Sequence, residues 1–363
     1  MIRAVFSGWL ALVLLMACAW PAWAQDPVET GLEYLATQQQ ADGGFTNGFS
    51  EGSDLGTTCD TILAIAAAGQ DASTWVSDKG NSPLDYLHAQ VAAGTVDALG
   101  LKAKTALALL ATGQDPAAFA GSDLIAELNA AYDEASGGYG SSVFDQALVM
   151  LTLSAAGERV PSAAAEYLLD MQGEDGAWSL FGGAEDVGDT NTSALAIQAL
   201  CATGHCDEIG DPFAYLHQVQ NKDGGFPYQN PSDYGTDTDA NSTAIVLQAL
   251  LAAGESLSEW SPAGKSPLEA LNALHDSDSG GFLWQAAVPG ANVLATAQAI
   301  PALAGYTFVD LPRVAAAQTP GDVPSPGGAV LPESGGLDLS PMGVIGLAMV
   351  ALGAGMALRR RRR

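Results

Sequence analysis

The sequence predicts an all-α protein, a closed ring of six inner and six outer helices in an (α/α)6 toroid, set between a secretory leader and a C-terminal membrane anchor. Three observations carry this reading: one phrase recurs along the chain, each copy is followed by an alanine-rich apolar segment, and both ends carry apolar runs with informative flanks. The phrase reads YLATQQQADGGF at 34–45, YLLDMQGEDGAW at 167–178 and YLHQVQNKDGGF at 215–226. Weaker copies are LNAAYDEASGGYG at 128–140 and LNALHDSDSGGF at 271–282, and a sixth, YLHAQVAAGTVDALG at 86–100, has lost its turn. Repetition of this kind marks an architecture built from one supersecondary unit. The segments that follow, from CDTILAIAAAG to NVLATAQAIPALAG, each end in glycine and give six helix pairs.

In chain order, residues 1–24 hold one basic residue, Arg3, an apolar run and the small-x-small site Ala22-Trp23-Ala24. That is a secretory signal peptide cut before Gln25. A lipid anchor on Cys18 is the alternative, with Met16 a poor fit to it. The ring occupies residues 25–311. Within each unit Leu and Tyr fall at helical spacing, and the glycines after Asp permit the positive-φ turn that stops the first helix. The aromatic residue packs back on the helix just left, and Ser, Thr, Asn or Asp caps the next. The second helix is apolar nearly all round, so it belongs inside; the first is amphipathic and belongs outside.

Residues 312–336 form a Pro/Gly-rich stalk. Residues 337–358 contain eighteen apolar residues, PMGVIGLAMVALGAGMAL, long enough to span a bilayer, and Arg359–Arg363 would stay cytoplasmic. The ring is therefore expected on the extracellular face, held to the membrane or the cell wall. LPESGG ahead of the span resembles a sortase-type wall-sorting signal, with Ser334 where that family usually has threonine. The resemblance implies a sortase-like partner and cleavage between Ser334 and Gly335; a plain membrane anchor explains the same residues.

The formal charge is −28, from 13 basic and 41 acidic residues, and Arg3 and the arginine tail account for six of the basic ones. Such a surface repels nucleic acid, anionic lipid and phosphate-bearing substrates. Outside the leader, Cys201 and Cys206 can close a short loop in an oxidising compartment. Cys59 is then unpaired, or pairs with one of them.

The Gln, Asp-Gly and aromatic repeats resemble the prenyltransferase/squalene-cyclase repeats of the α/α-toroid superfamily, across nearly the whole ring. That superfamily includes terpene cyclases, protein prenyltransferase β-subunits and cobalamin carriers, so fold alone leaves function open. The last stretch, ATAQAIPALAGYTFVDLP, is most similar to the end of the α-domain of the transcobalamin and intrinsic-factor family. In this fold the ligand sits at the mouth of the inner barrel, near the starts of the inner helices. Those starts offer Asp60 and Thr61; Lys102 and Lys104; Asp145 and Gln146; Asp189, Asn191 and Thr192; Asp237, Asp239, Asn241 and Ser242; and Asn292, Thr296 and Gln298. Many of these are ordinary helix caps, worth about 1 kcal/mol each. Together they ring one mouth with hydrogen-bonding groups at the positive ends of parallel helix dipoles.

Four functional readings follow. A terpene cyclase protonates an alkene through the central aspartate of DxDD, and Asp239 in DTDA is the one catalytic candidate. Its partner carboxylate is replaced by Ala240 and Asn241, and among the inner helices only Phe144 offers an aromatic wall for a cation. A prenyltransferase needs zinc on Asp, Cys and His, but His88, His205, His217 and His275 all lie off the inner helices, so no metal site is expected. A toroid glycosidase or lyase would pair two of Asp60, Asp145, Asp189 and Asp239. The reading adopted is a binding module. The cobalamin-carrier resemblance implies a ligand site at Asp145, Asp189, Asn191, Asp239, Asn241 and Gln298, with a corrinoid as possible ligand and no other cofactor. Those carriers clamp the ligand with a second, C-terminal β-domain, whereas here Leu311 is expected to lead straight into the stalk, so a corrinoid would be half held or completed by a partner. Another small molecule, a surface protein or a glycan fits the same features, and a terpene cyclase or prenyltransferase-like enzyme is the alternative.

Overall fold

A computed structural model describes residues 26–48, 52–183, 186–209, 212–233 and 235–314. The leader, the stalk beyond 314, the span at 337–358, the arginine tail and the sorting positions Ser334 and Gly335 lie outside the described residues. Among the described residues no helix is long and apolar enough to cross a membrane.

Twelve α-helices are present among the described residues: α1 Pro27–Gln38, α2 Leu55–Ala67, α3 Pro83–Ala92, α4 Leu99–Ala111, α5 Leu124–Ala130, α6 Val143–Ala155, α7 Ser162–Asp170, α8 Thr190–Ala202, α9 Pro212–Val219, α10 Ala240–Ala252, α11 Pro267–Asn272 and α12 Val293–Leu303. The even-numbered helices pack side by side, α2 on α4, α4 on α6, α6 on α8, α8 on α10, α10 on α12 and α12 back on α2. That is the expected closed toroid, with the odd-numbered helices outside. The inner helices are buried along most of their length because Ala, Leu, Ile and Thr let neighbours approach on every side; α2 is buried from Gly56 to Ala67.

The repeated phrase builds one joint again and again. The glutamine side chain closes the turn: Gln39, Gln172 and Gln220 each donate to the carbonyl of the first turn glycine, at 3.0, 2.7 and 2.8 Å. The aromatic residue is then pinned at both backbone groups to the start of the inner helix. The N–H groups of Phe45, Trp178, Phe226 and Phe282 donate to the hydroxyls of Thr58, Ser193, Thr243 and Thr296 at 2.8–3.0 Å. Their carbonyls accept from the N-cap residues Asp54, Asp189, Asp239 and Asn292. In the weaker third copy Gln146 does the hydroxyl's work for Tyr139, at 2.7 Å.

The glycine is required where neighbouring repeats meet. Gly224 has φ +91°, and a Cβ there would stand 2.4 Å from the Lys265 carbonyl oxygen at the foot of the next outer helix. Gly280 (φ +81°) meets the Thr30 carbonyl of α1 at 2.8 Å by the same measure, so the same joint closes the last repeat on the first.

The pair α3–α4 departs from this plan. It lacks the turn, as its sequence predicts, and Ala98 caps α4 without a side-chain hydrogen bond. Cys201 and Cys206 form a disulfide at the end of α8, and Cys59 is a free, buried thiol. Packing continues past residue 311. The Val314 N–H donates to the Ala111 carbonyl at 3.0 Å and Arg313 to the Ala155 carbonyl at 2.6 Å, which lays residues 306–314 across the C-terminal ends of the inner helices.

Candidate functional site

The inner barrel encloses a lumen with about 100 Å³ of room for the centres of water-sized molecules, space for several waters or a small ligand. Its wall follows from helix geometry. The sixth residue after each inner-helix cap points inward, and in order around the ring these are Asp60, Lys104, Leu148, Leu195, Ile245 and Gln298, all of which line the lumen. The three polar ones sit on neighbouring helices, α12, α2 and α4, and the three apolar ones on α6, α8 and α10. At this level the lumen therefore has a polar and an apolar half, with Asp189, Asn191 and Thr192 toward the mouth and Gln248 toward the floor adding polar groups on the apolar side.

The polar half is tied together across four helices. The Lys104 ammonium meets Asp60 Oδ2 at 2.7 Å, with both side chains nearly buried. Gln298 Nε2 donates to the same oxygen at 3.1 Å, and Asn241 Nδ2 at the mouth donates to Gln298 Oε1 at 2.8 Å. Burial pushes the Asp60 carboxyl upward, and the Lys104 ammonium beside it pulls the other way. Burial also holds the adjoining Cys59 thiol at about 12, so it is no nucleophile.

At the lip, Asp189 caps α8 by accepting from the Thr192 N–H at 2.8 Å. Burial raises its carboxyl to about 6, against bonds from the Thr192 hydroxyl, the Tyr228 hydroxyl and the Asn191 N–H that favour the charged form. Burial and the Asp189 charge push the Tyr228 hydroxyl well above the ordinary tyrosine range, so it stays a donor. Asp239 caps α10 through the Ser242 N–H at 2.7 Å, and burial raises it to about 7.

The expected mouth residues separate into two groups. Asp189, Asn191 and Gln298 line the lumen, and Asn241 joins them through Gln298. Asp145 and Asp239 are buried in the rim, away from the lumen lining. Asp145 faces the backbone of Gly100 and Gly140, where a Cβ would come within 2.6 and 2.9 Å of it, and its Oδ1 has no hydrogen-bond partner among the described residues. Asp60, Lys104 and Gln298 are not at the helix starts; they stand a turn and a half inside, facing the lumen, whereas among the side-chain caps only Asp189 lines it.

The expectation of a lumen without an aromatic wall needs correction. Phe144, Tyr228, Tyr306 and Phe308 all line it. Only Phe144 comes from an inner helix; Tyr228 enters from the loop before α10, and Tyr306 and Phe308 from the segment after α12. That segment is the floor. Gln248 Nε2 donates to the Tyr306 carbonyl at 3.1 Å, the Phe308 N–H donates to Gln198 Oε1 at 3.0 Å, and Phe308, Leu311 and Val314 pack on Leu63, Ala66 and Ala111. Reading inner helices alone misses residues that loops deliver. One local signal was present: Pro301 inside α12 cannot return a hydrogen bond to Ala297, and both residues line the lumen. Among the described residues no group of three or more His, Cys, Asp or Glu is placed to hold a metal ion.

No family model matches the sequence, and no curated protein matches it. Among solved structures the chain is similar to a type II terpene cyclase, MstE, from Scytonema in complex with geranylgeranyl dihydroxybenzoate. The TM-score is 0.51 at 13% identity, over 77% of this chain and 96% of that one. It is also similar to the unsaturated glucuronyl hydrolase from Bacillus sp. GL1, with TM-score 0.53 at 12% identity over 77% and 95%. At such identities the likeness shows the fold, an α/α toroid, and carries no chemistry across.

Proposed function

We propose that the protein is an extracellular, surface-anchored binding module that takes a small ligand into the lumen from the mouth. One observation carries this over catalysis: the carboxyls near the lumen are already engaged. Asp60 is the counter-ion of Lys104, with Gln298 on the same oxygen, the Asp189 oxygens accept from Thr192, Asn191 and Tyr228, and Asp239 is spent on its cap. A general acid needs a proton to give, and the ammonium beside Asp60 favours the form that has none. The Cys201–Cys206 disulfide supports an oxidising compartment. With the floor segment leading toward the anchor, the mouth would face away from the cell, suited to a small molecule or to the edge of a surface protein or glycan.

A corrinoid would have to lie across the mouth, with only a side group entering a lumen of this size, and Asn191, Asn241 and Gln298 are the groups that would meet it. Titration with cobalamin, following corrin absorbance and the melting temperature, tests that case. A saturable one-to-one shift lost in Asn241→Ala with Gln298→Ala would support it; no shift at high ligand concentration removes the corrinoid and leaves the lumen for a smaller guest.

A second reading, a terpene cyclase-like or glycosidase-like enzyme, is favoured by Asp189 alone. It is a buried carboxyl raised to about 6, on the lumen, beside Tyr228 and an aromatic wall that can face a cation. Turnover of a polyprenyl arene or of an unsaturated glucuronide, abolished by Asp189→Asn, would establish the enzyme and displace the binding module.

A further inference from the structure

Resting on the binding reading, we infer that the lumen selects an uncharged amphiphile, a short apolar body ending in a hydroxyl or a primary amide. The inference comes from what the polar half has left to offer once its own bonds are made. Lys104 and Gln298 both donate to one oxygen of Asp60, Oδ2; among the described residues nothing is bonded to Oδ1. An ammonium has three N–H donors, and the Lys104 group spends one of them on Asp60. On α12, Pro301 leaves the carbonyl of Ala297, the residue before Gln298, without its helical donor.

The lumen thus presents acceptors and a donor side by side, the pattern that a hydroxyl or an amide satisfies and a pure hydrocarbon does not. Charge is excluded by the pair itself. Lys104 and Asp60 neutralise each other at 2.7 Å in a nearly dry site. A carboxylate or an ammonium entering beside them finds no uncompensated opposite charge on the pair and brings an unbalanced charge where desolvation is costly. The opposite wall, Leu148, Leu195 and Ile245 with Phe144 above and Phe308 below, takes the apolar body by area burial alone.

The test is a set of six-carbon probes on the purified full chain in lipid nanodiscs, with empty nanodiscs fixing the free concentrations: 1-hexanol, hexanamide, hexanoate, hexylamine and hexane. The melting temperature and the concentration for half-saturation are read at pH 7. Hexanol and hexanamide should stabilise saturably, with hexanoate and hexylamine at least about tenfold weaker, a difference of roughly 1.4 kcal/mol. Leu148→Phe, which fills the apolar half, should abolish binding of both neutral probes. Hexanoate or hexylamine binding as tightly as hexanol would overturn the selection inference while leaving a binding module. Binding that survives Leu148→Phe would overturn its location. No saturable shift with any of the five, hexane included, would overturn the inference together with its premise that the lumen takes a small guest, leaving binding at the mouth.

Discussion

Four residues after the cap of five of the six inner helices, Thr58, Gln146, Ser193, Thr243 and Thr296 all give the same service, a hydrogen bond to the backbone of an aromatic residue in the rim. Two residues further along the same helices, the positions facing the lumen are Asp60, Lys104, Leu148, Leu195, Ile245 and Gln298. The rim therefore repeats one solution, α4 excepted, and the lumen changes from charged and polar to apolar around the ring. Repetition in the rim follows from a shared mechanical problem: outside the α3–α4 pair, each unit must turn, seat an aromatic residue and meet its neighbour through a glycine. Variation in the lumen has no such cause, since any small apolar residue would keep the barrel closed. The rim holds the fold, and the lumen is where the proposed ligand would be told apart.

The comparison breaks most visibly if a rim aromatic is removed. Trp178 is fully buried and its indole N–H donates to the Leu168 carbonyl at 2.7 Å. Trp178→Ala should cost about 3–5 kcal/mol by cavity formation and the lost bond. Denaturant unfolding would show it as a lower midpoint, with probe binding by the folded fraction unchanged. A cost under about 1 kcal/mol would mean that the joint is not what holds the repeat.

The lumen has one position of comparable cost. Asp60→Ala strands the Lys104 charge in a nearly dry site and should destabilise by about 3 kcal/mol. Asp60→Leu with Lys104→Met removes both charges and should recover most of that loss, because a buried pair offers little net stability over packed apolar residues. In that double variant discrimination between hexanol and hexane should vanish. Recovered stability with retained discrimination would place the selectivity elsewhere.

Acid should strengthen the rim. Asp189 and Asp239 are raised by burial to about 6 and about 7, above the ordinary value of 3.8. The folded protein therefore holds protons that the unfolded chain has released between roughly pH 4 and 7. The stabilisation is fully present below the unfolded value and is lost as pH rises through 6 to 7. The melting temperature should climb as pH falls from 8 to 5. Asp239→Asn keeps the cap, since asparagine caps as well as aspartate, but has nothing to titrate, so the slope should flatten. An unchanged slope would assign the pH dependence to the acidic surface.

How much of this was legible in the sequence follows the same division. The rim was, because its chemistry is local: Gln, Asp-Gly-Gly and aromatic stand within a dozen residues, and six copies made the ring and its twelve helices countable. The mouth was half legible. Helix starts were correctly read as capping residues, but the reading put Asp60, Lys104 and Gln298 at those starts. Helical phase places them a turn and a half deeper, in the lumen. Tyr228, Tyr306 and Phe308 were out of reach, since a loop or a tail that crosses the barrel carries no periodicity to say where it lands. The Lys104–Asp60 pair joins residues 44 apart, and the Gln298–Asp60 bond spans 238. Only the closed ring brings them together.

The smallest effect sharpens the comparison from the other side, by giving the defective joint one of its missing parts. Ala98 precedes α4 with extended backbone, φ −66° and ψ 130°, and offers no side-chain bond to the helix. The five other inner helices all have one, from Asp54, Ser142, Asp189, Asp239 and Asn292. Ala98→Asp supplies an acceptor to the first turn and a negative charge at the positive end of the helix dipole. It should stabilise by about 0.5–1 kcal/mol in denaturant unfolding and leave probe affinity unchanged, because the cap stands six residues from Lys104. A gain would show that the second repeat lost its turn without acquiring a new function there. A loss of affinity with the gain in stability would show that looseness at this repeat serves entry into the lumen.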